Sequence, residues 1–85
     1  MEQSFPNNIS YAAVFDPEPT GGFTVTVPAV PACITYGATF EEASANIREA
    51  LLLCIEDYLS RGEDLPLNQS PVLSSIEFSR EDLHA

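Results

Sequence analysis

The sequence predicts an α+β domain, strand–strand–strand–helix–strand, with one long helix packed on one face of a single four-stranded sheet. Three observations carry that prediction. Residues 23–27, Phe-Thr-Val-Thr-Val, alternate with the period of two of a half-buried strand. Residues 40–61 contain no proline or glycine and repeat apolar side chains at helical spacing. Residues 72–78 follow a proline-bearing connector and again place Ile76 and Phe78 on one face and Glu77 on the other. Residues 1–85 read as one domain, with a core of about 9–79 and flexible ends at 1–8 and 80–85.

The first strand is expected over 9–15, where Ile9, Tyr11, Ala13 and Phe15 share a face. It ends in Asp16-Pro17-Glu18-Pro19-Thr20-Gly21-Gly22, whose prolines and glycines predict the bend of a hairpin. In the second strand Phe23, Val25 and Val27 point one way and Thr24 and Thr26 the other. Pro28-Ala29-Val30-Pro31 should interrupt pairing, because proline has no N–H to give to a ladder. A short third strand, Cys33 to Tyr36, stops at Gly37. Thr39 then reads as a helix N-cap with Glu42 completing a capping box. Gly62 reads as the residue that closes the helix, with Arg61 in the last turn. Residues 63–71 form a connector without periodicity. In the tail, Ser79 to Asp82 can cap one further helical turn.

The helix has two distinct faces. At 100° per residue, Phe40, Ile47, Leu51, Cys54 and Tyr58 fall within about 40° of one line, widened by Ala43, Ala50 and Ile55. That stripe should cover the sheet. Glu42, Glu49 and Glu56 lie about 160–200° away, as a carboxylate ridge. Leu52 and Leu59 border the ridge on one side and Leu53 on the other. These leucines either belong to a contact surface, or Leu52 and Leu59 lie under the connector.

Charge narrows the function. With 13 acids, three arginines and no lysine, the formal net charge is −10. Phosphate backbones are held by Lys and Arg, so nucleic acid is not an expected partner. An anionic membrane surface would repel the same charge, and no apolar run approaches the roughly 20 residues that span a bilayer. Forty-five per cent hydrophobic residues argue for a folded domain over acidic disorder. The N-terminus, Met1-Glu2-Gln3-Ser4, lacks the basic and apolar regions of a signal peptide, so a cytoplasmic protein is expected.

Catalytic chemistry is not expected. Nucleophilic catalysis needs a base beside the nucleophile, and the one histidine, His84, sits next to the C-terminus. Cys33 and Cys54 read as small buried hydrophobes; with one histidine they make no zinc site. Arg48 can pair with a neighbouring carboxylate. The element order begins like a ribonuclease H fold, whose two-metal hydrolysis needs carboxylates on adjacent strands. Here the first strand has no interior acid, Asp16 falls at its end, and Glu77 faces away from the core. Asp16, Glu18, Glu63 and Asp64 read as solvated loop residues. No catalytic residue, metal or cofactor is therefore expected, and a metal-dependent nuclease is a remote alternative.

The ordered set Tyr11-Ala12-Ala13-Val14-Phe15-Asp16-Pro17-Glu18, Gly21 to Pro28, Val30-Pro31-Ala32-Cys33, Thr35, Gly37, Thr39 to Ala43 and Asn46 to Leu51 resembles the HicB antitoxin family. The resemblance covers about residues 9–67. It implies a partial ribonuclease H-like domain without the nuclease carboxylates, with a mixed sheet of order 3-2-1-4. It implies a non-enzymatic antitoxin that neutralises a small basic RNA-cleaving HicA-like toxin by protein–protein contact, and a dimer or larger homo-oligomer. Ala32 and Ala29 depart from the glycine and aspartate common at those places. Many members carry a C-terminal DNA-binding domain, for which residues 79–85 leave no room, so autorepression is not expected of these residues. The alternative is an orphan homo-oligomeric regulatory or scaffolding domain without a toxin. Glu42, Glu49 and Glu56, with Leu52 and Leu53, form the expected partner surface, since an acidic surface steers a cationic partner. The sheet face turned away from the helix is also free for self-association or for the toxin.

Overall fold

The computed structural model describes residues 9–67 and 72–84. The expected flexible segment 1–8 and part of the connector, 68–71, lie outside the described residues. Three strands, β1 (Val14–Pro17), β2 (Phe23–Val27) and β3 (Val30–Gly37), precede a single long helix, α1 (Phe40–Ser60). The strands form an antiparallel sheet in the order β1-β2-β3. The α+β class and the first three positions of the expected sheet order hold. A four-stranded mixed sheet does not form among the described residues. Residues 72–78 are exposed throughout and carry no strand pairing, so nothing in the described chain supplies the ladder they would need.

The strand boundaries shift for identifiable reasons. β1 begins later than expected and runs through Asp16 and Pro17, because Pro17 pairs with Phe23 on an edge strand where its missing N–H costs nothing. Residues 18–22 make the bend, closed by Glu18 N–H donating to Gly22 O and Gly21 N–H donating to Glu18 O, both at 2.9 Å. Gly21 and Gly22 have φ of 104° and 83°, values that favour glycine. The turn between β2 and β3 is tighter than expected. Val30 already pairs with Val27, and the register slips between Thr26 and Val27. Pro31 is accommodated at that irregularity, on the other edge strand.

The faces alternate as the period of two requires. Val25 and Val27 are buried towards the helix, and Phe15, paired with Val25, packs against the same core. Val30, Cys33, Ala43 and Ile47 complete the buried set. Fully burying one valine or isoleucine contributes about 1.5–3 kcal/mol, so this core is small. Phe40 departs from expectation: it is 52% exposed. As the first residue of α1 it overhangs the end of the sheet. Its ring stacks there against Phe15 (centroids 4.7 Å apart) and meets Phe23 edge-on at 6.1 Å.

Both helix ends are chemically specified. Thr39 Oγ1 accepts from Glu42 N–H at 3.0 Å, and Glu42 Oε1 accepts from Ala38 N–H at 2.9 Å. That is a capping box displaced by one residue, and it ties the helix to the end of β3. At the other end Glu63 N–H donates to Tyr58 O and Gly62 N–H to Leu59 O, with Gly62 at φ 69°. This is the Schellman closure that glycine permits. Arg61 joins Asp57 at 2.8 Å and Glu63 at 3.5 Å, exposed pairs of modest worth. In the tail Arg80–Asp82 forms a 3-10 turn capped by Ser79 and Asp82, as the sequence allows.

Candidate functional site

The outer half of α1 is the surface with most to offer a partner. The helix lies over β3 and β2 rather than over β1. Ala43 and Ile47 are therefore buried near its start, while Ala50, Leu51, Cys54 and Tyr58 further along are half-buried. Asn46 fixes the upper part by donating to Tyr36 O at 2.8 Å.

Of the five expected contact residues, all are exposed, yet they do not form one uniform patch. Glu42 is committed to the helix start through its bond to Ala38. Glu49 and Glu56 are two turns apart on the outward face and make no ion pair among the described residues. Leu53, 62% exposed, lies beside them. Leu52 belongs elsewhere. It lines a groove of about 230 Å³ together with Ile9, Tyr11, Arg48, Leu51 and Ile55. The described part of the connector leaves Leu52 and Leu59 exposed, at 48% and 42%. Sequence reasoning missed this groove. Its signal was the spread of Arg48, Leu51, Leu52 and Ile55 along one helix flank between the core stripe and the ridge.

The groove has a defined end. Tyr11 Oη donates to Pro66 O at 2.7 Å, holding the chain after the helix against the segment that leads into β1. Burial, with Tyr58 beside it, pushes the Tyr11 phenol above its ordinary value, so it remains a donor at any physiological pH. Arg48 at the groove makes no ion pair among the described residues, contrary to the expected pairing.

No three His, Cys, Asp or Glu side chains converge to hold a metal ion among the described residues. Asp16 is exposed in β1 opposite Thr24, Glu18 accepts from Thr24 Oγ1 at 2.6 Å, and Glu77 is exposed in the tail. Cys33 is buried and Cys54 half-buried, both as free thiols. Burial, and then Cys54 beside it, push the Cys33 thiol above its ordinary value. In the native protein at pH 8, Cys54 is expected to react with a thiol reagent faster than Cys33 by at least tenfold, as followed by mass spectrometry of the labelled chain. Equal rates would contradict the burial that separates them. No described helix is long and apolar enough to cross a membrane.

Comparison with known proteins places the chain in a family. Residues 11–81 match the family model described as the HicB-like antitoxin of bacterial toxin–antitoxin systems. The chain is 36% identical over 58 residues to a UPF0150 protein of Thermoplasma acidophilum, covering 68% of this chain and 84% of that protein. It is 35% identical over 60 residues to Antitoxin HicB 1 of Photorhabdus laumondii, covering 71% of this chain and 39% of that one. It is 34% identical over 68 residues to Antitoxin HicB of Escherichia coli K12, covering 80% and 49%. The matched segment thus spans less than half the length of the two relatives named as antitoxins.

Proposed function

The chain belongs to the HicB-like antitoxin family of bacterial toxin–antitoxin systems, and from that premise we propose that it binds and neutralises a small basic HicA-like mRNA-cleaving toxin by protein–protein contact. The observation that supports this most is the pairing of the family match with a net charge of −10. A surface of that sign raises the encounter rate with a cationic partner and contributes most at low salt. Glu49 and Glu56, with Leu53 beside them, supply charge and an apolar anchor on the outward face of α1. Leu52 adds the near wall of the groove, and Glu42 keeps the helix start in place. The role is non-enzymatic, needs no cofactor and is exercised in the cytoplasm. A homo-oligomer and a ribonuclease H-like sheet completed by a fourth strand belong to the same reading.

The experiment is a titration of the purified chain with any small lysine-rich protein found encoded beside its gene. A stable complex whose affinity falls steeply as salt is raised is the expected result. No complex at low salt would overturn the reading. A second reading draws on the UPF0150 relative, whose name states no partner and of which the match covers 84%. In that case the chain is an orphan homo-oligomeric domain, and no basic open reading frame adjoins its gene.

A further inference from the structure

Cys33 and Cys54 stand 21 residues apart in the chain, and the fold brings them together. The anchor is the close approach of Gly37 to Ala43, where the end of β3 meets the first turns of α1. From that point α1 doubles back over the sheet and packs mainly on β3. Cys33 lies four residues back along β3, ~13 Å at the rise of a strand. Cys54 lies eleven residues further along α1, ~16 Å at the rise of a helix. Eleven residues also return a helix to within about 20° of the same direction, so Cys54 projects from the face that carries Ala43. The two thiols are therefore at nearly the same height and aimed at one another. Cys33 is part of the buried core, Cys54 packs against that core, and the two side chains are hydrogen-bonded.

Their surroundings differ in a way that divides the labour. Cys54 is half-buried, in the stretch of α1 that the sheet covers least, and a small reagent can reach it. Cys33 is shielded and, held protonated by burial, is reached only through Cys54. The chain has no third cysteine to compete within the molecule. An accessible thiol with a resolving thiol in contact is the arrangement that captures a sulfenic acid as a disulfide.

We infer that this pair is a redox-modification site, at which hydrogen peroxide oxidises Cys54 and Cys33 resolves the product into an intrachain disulfide that staples α1 to β3. The Cys54 sulfur attacks one peroxide oxygen. The O–O bond breaks, and the departing hydroxide leaves as water with the Cys54 thiol proton. Cys54 is then a sulfenic acid. The Cys33 sulfur attacks the Cys54 sulfur, the S–O bond breaks, and the second hydroxide leaves as water with the Cys33 proton. The two thiols lose one electron each, and the peroxide takes both. A small thiol such as glutathione reverses the bond by exchange, so in a reducing compartment the staple is transient. While it lasts, it closes a loop of about 20 residues in the unfolded chain and lowers the unfolding equilibrium constant about a hundredfold. The inference goes beyond the antitoxin reading, and its test uses no toxin.

The test treats the reduced, full-length chain with hydrogen peroxide at neutral pH and follows it by intact mass and by alkylation. The expected product has lost two hydrogens, has no thiol left to alkylate, yields a Cys33–Cys54 cross-linked peptide on digestion, and reverts with dithiothreitol. Its melting temperature should rise by roughly 10 °C or more. Cys54→Ser should abolish the mass change, while Cys33→Ala should leave a sulfenic acid on Cys54 that dimedone traps. Cys33 lies in the core, so the parent chain decides the outcome even where that variant fails to fold. Two thiols that still alkylate after peroxide, oxygen added to Cys54 without a cross-link, or a disulfide between two chains would each overturn the inference. A cross-link that leaves the melting temperature unchanged would overturn the staple.

Discussion

Replacing Gly37 by alanine is expected to destabilise the domain by about 2–3 kcal/mol, near the upper end of what overpacking a core costs. Gly37 is buried at the end of β3, where the chain turns into α1. A Cβ there would strike the backbone nitrogen and Cα of Ala43, as well as its Cβ. Backbone in the first turn of a capped helix cannot swing aside as a flexible side-chain tip can. Relief would require α1 to lift off β3, which opens the contact that buries Ala43 and Ile47. For a domain of this size each kcal/mol lowers the melting temperature by roughly 4–8 °C. Thermal unfolding of Gly37→Ala should therefore occur some 10–20 °C below the parent. Gly62→Ala makes the control: nothing lies near its Cβ, and the cost is confined to the left-handed backbone at φ 69°. If the two variants melted together, the close approach of β3 and α1 would be wrong.

The second large effect concerns the partner. Reversing both free carboxylates of the outward helix face, Glu49→Lys with Glu56→Lys, should weaken toxin binding about a hundredfold at low salt, or roughly 2.7 kcal/mol. It should also flatten the salt dependence, because the steering field at that face changes sign. Both residues are exposed and bond to nothing described, so the melting temperature should stay within a few degrees of the parent. Glu42 is left out by design. Its carboxylate holds Ala38 N–H at the helix start, and losing a capping interaction costs about 1 kcal/mol by itself. Calorimetric titration at two ionic strengths checks the result. An affinity unchanged by the double reversal would move the contact to another face.

Much of this was legible in the sequence because local chemistry dictated it. Thr39 and Glu42 announced the helix start, Gly62 its end, and Val25 and Val27 the buried side of β2. Each signal acts within a few residues and needs no tertiary context. What the sequence could not show was long-range. Gly37 read as a strand stop, whereas the structure gives it a close contact with Ala43 six residues on. Pro17 and Pro31 read as strand breakers, yet both lie in edge strands, where a missing donor is tolerated. The fourth strand shows the limit most clearly. The alternation of Val72, Ile76 and Phe78 is real, but a strand also needs an edge to pair with, and periodicity does not supply one. Likewise the carboxylate ridge was legible as a line on a helical wheel. That the Glu42 carboxylate reaches back to Ala38 N–H rather than to Thr39 N–H, and that Leu52 faces a groove rather than the ridge, required coordinates.

This acidic chain is expected to silence a basic ribonuclease. Cleavage of a model messenger RNA by a purified HicA-like toxin should be titrated to completion by the chain, with the break at a stoichiometric ratio. The Glu49→Lys, Glu56→Lys variant should need a large excess. Undiminished cleavage at low salt, with the wild-type chain in excess over the toxin, would contradict the account.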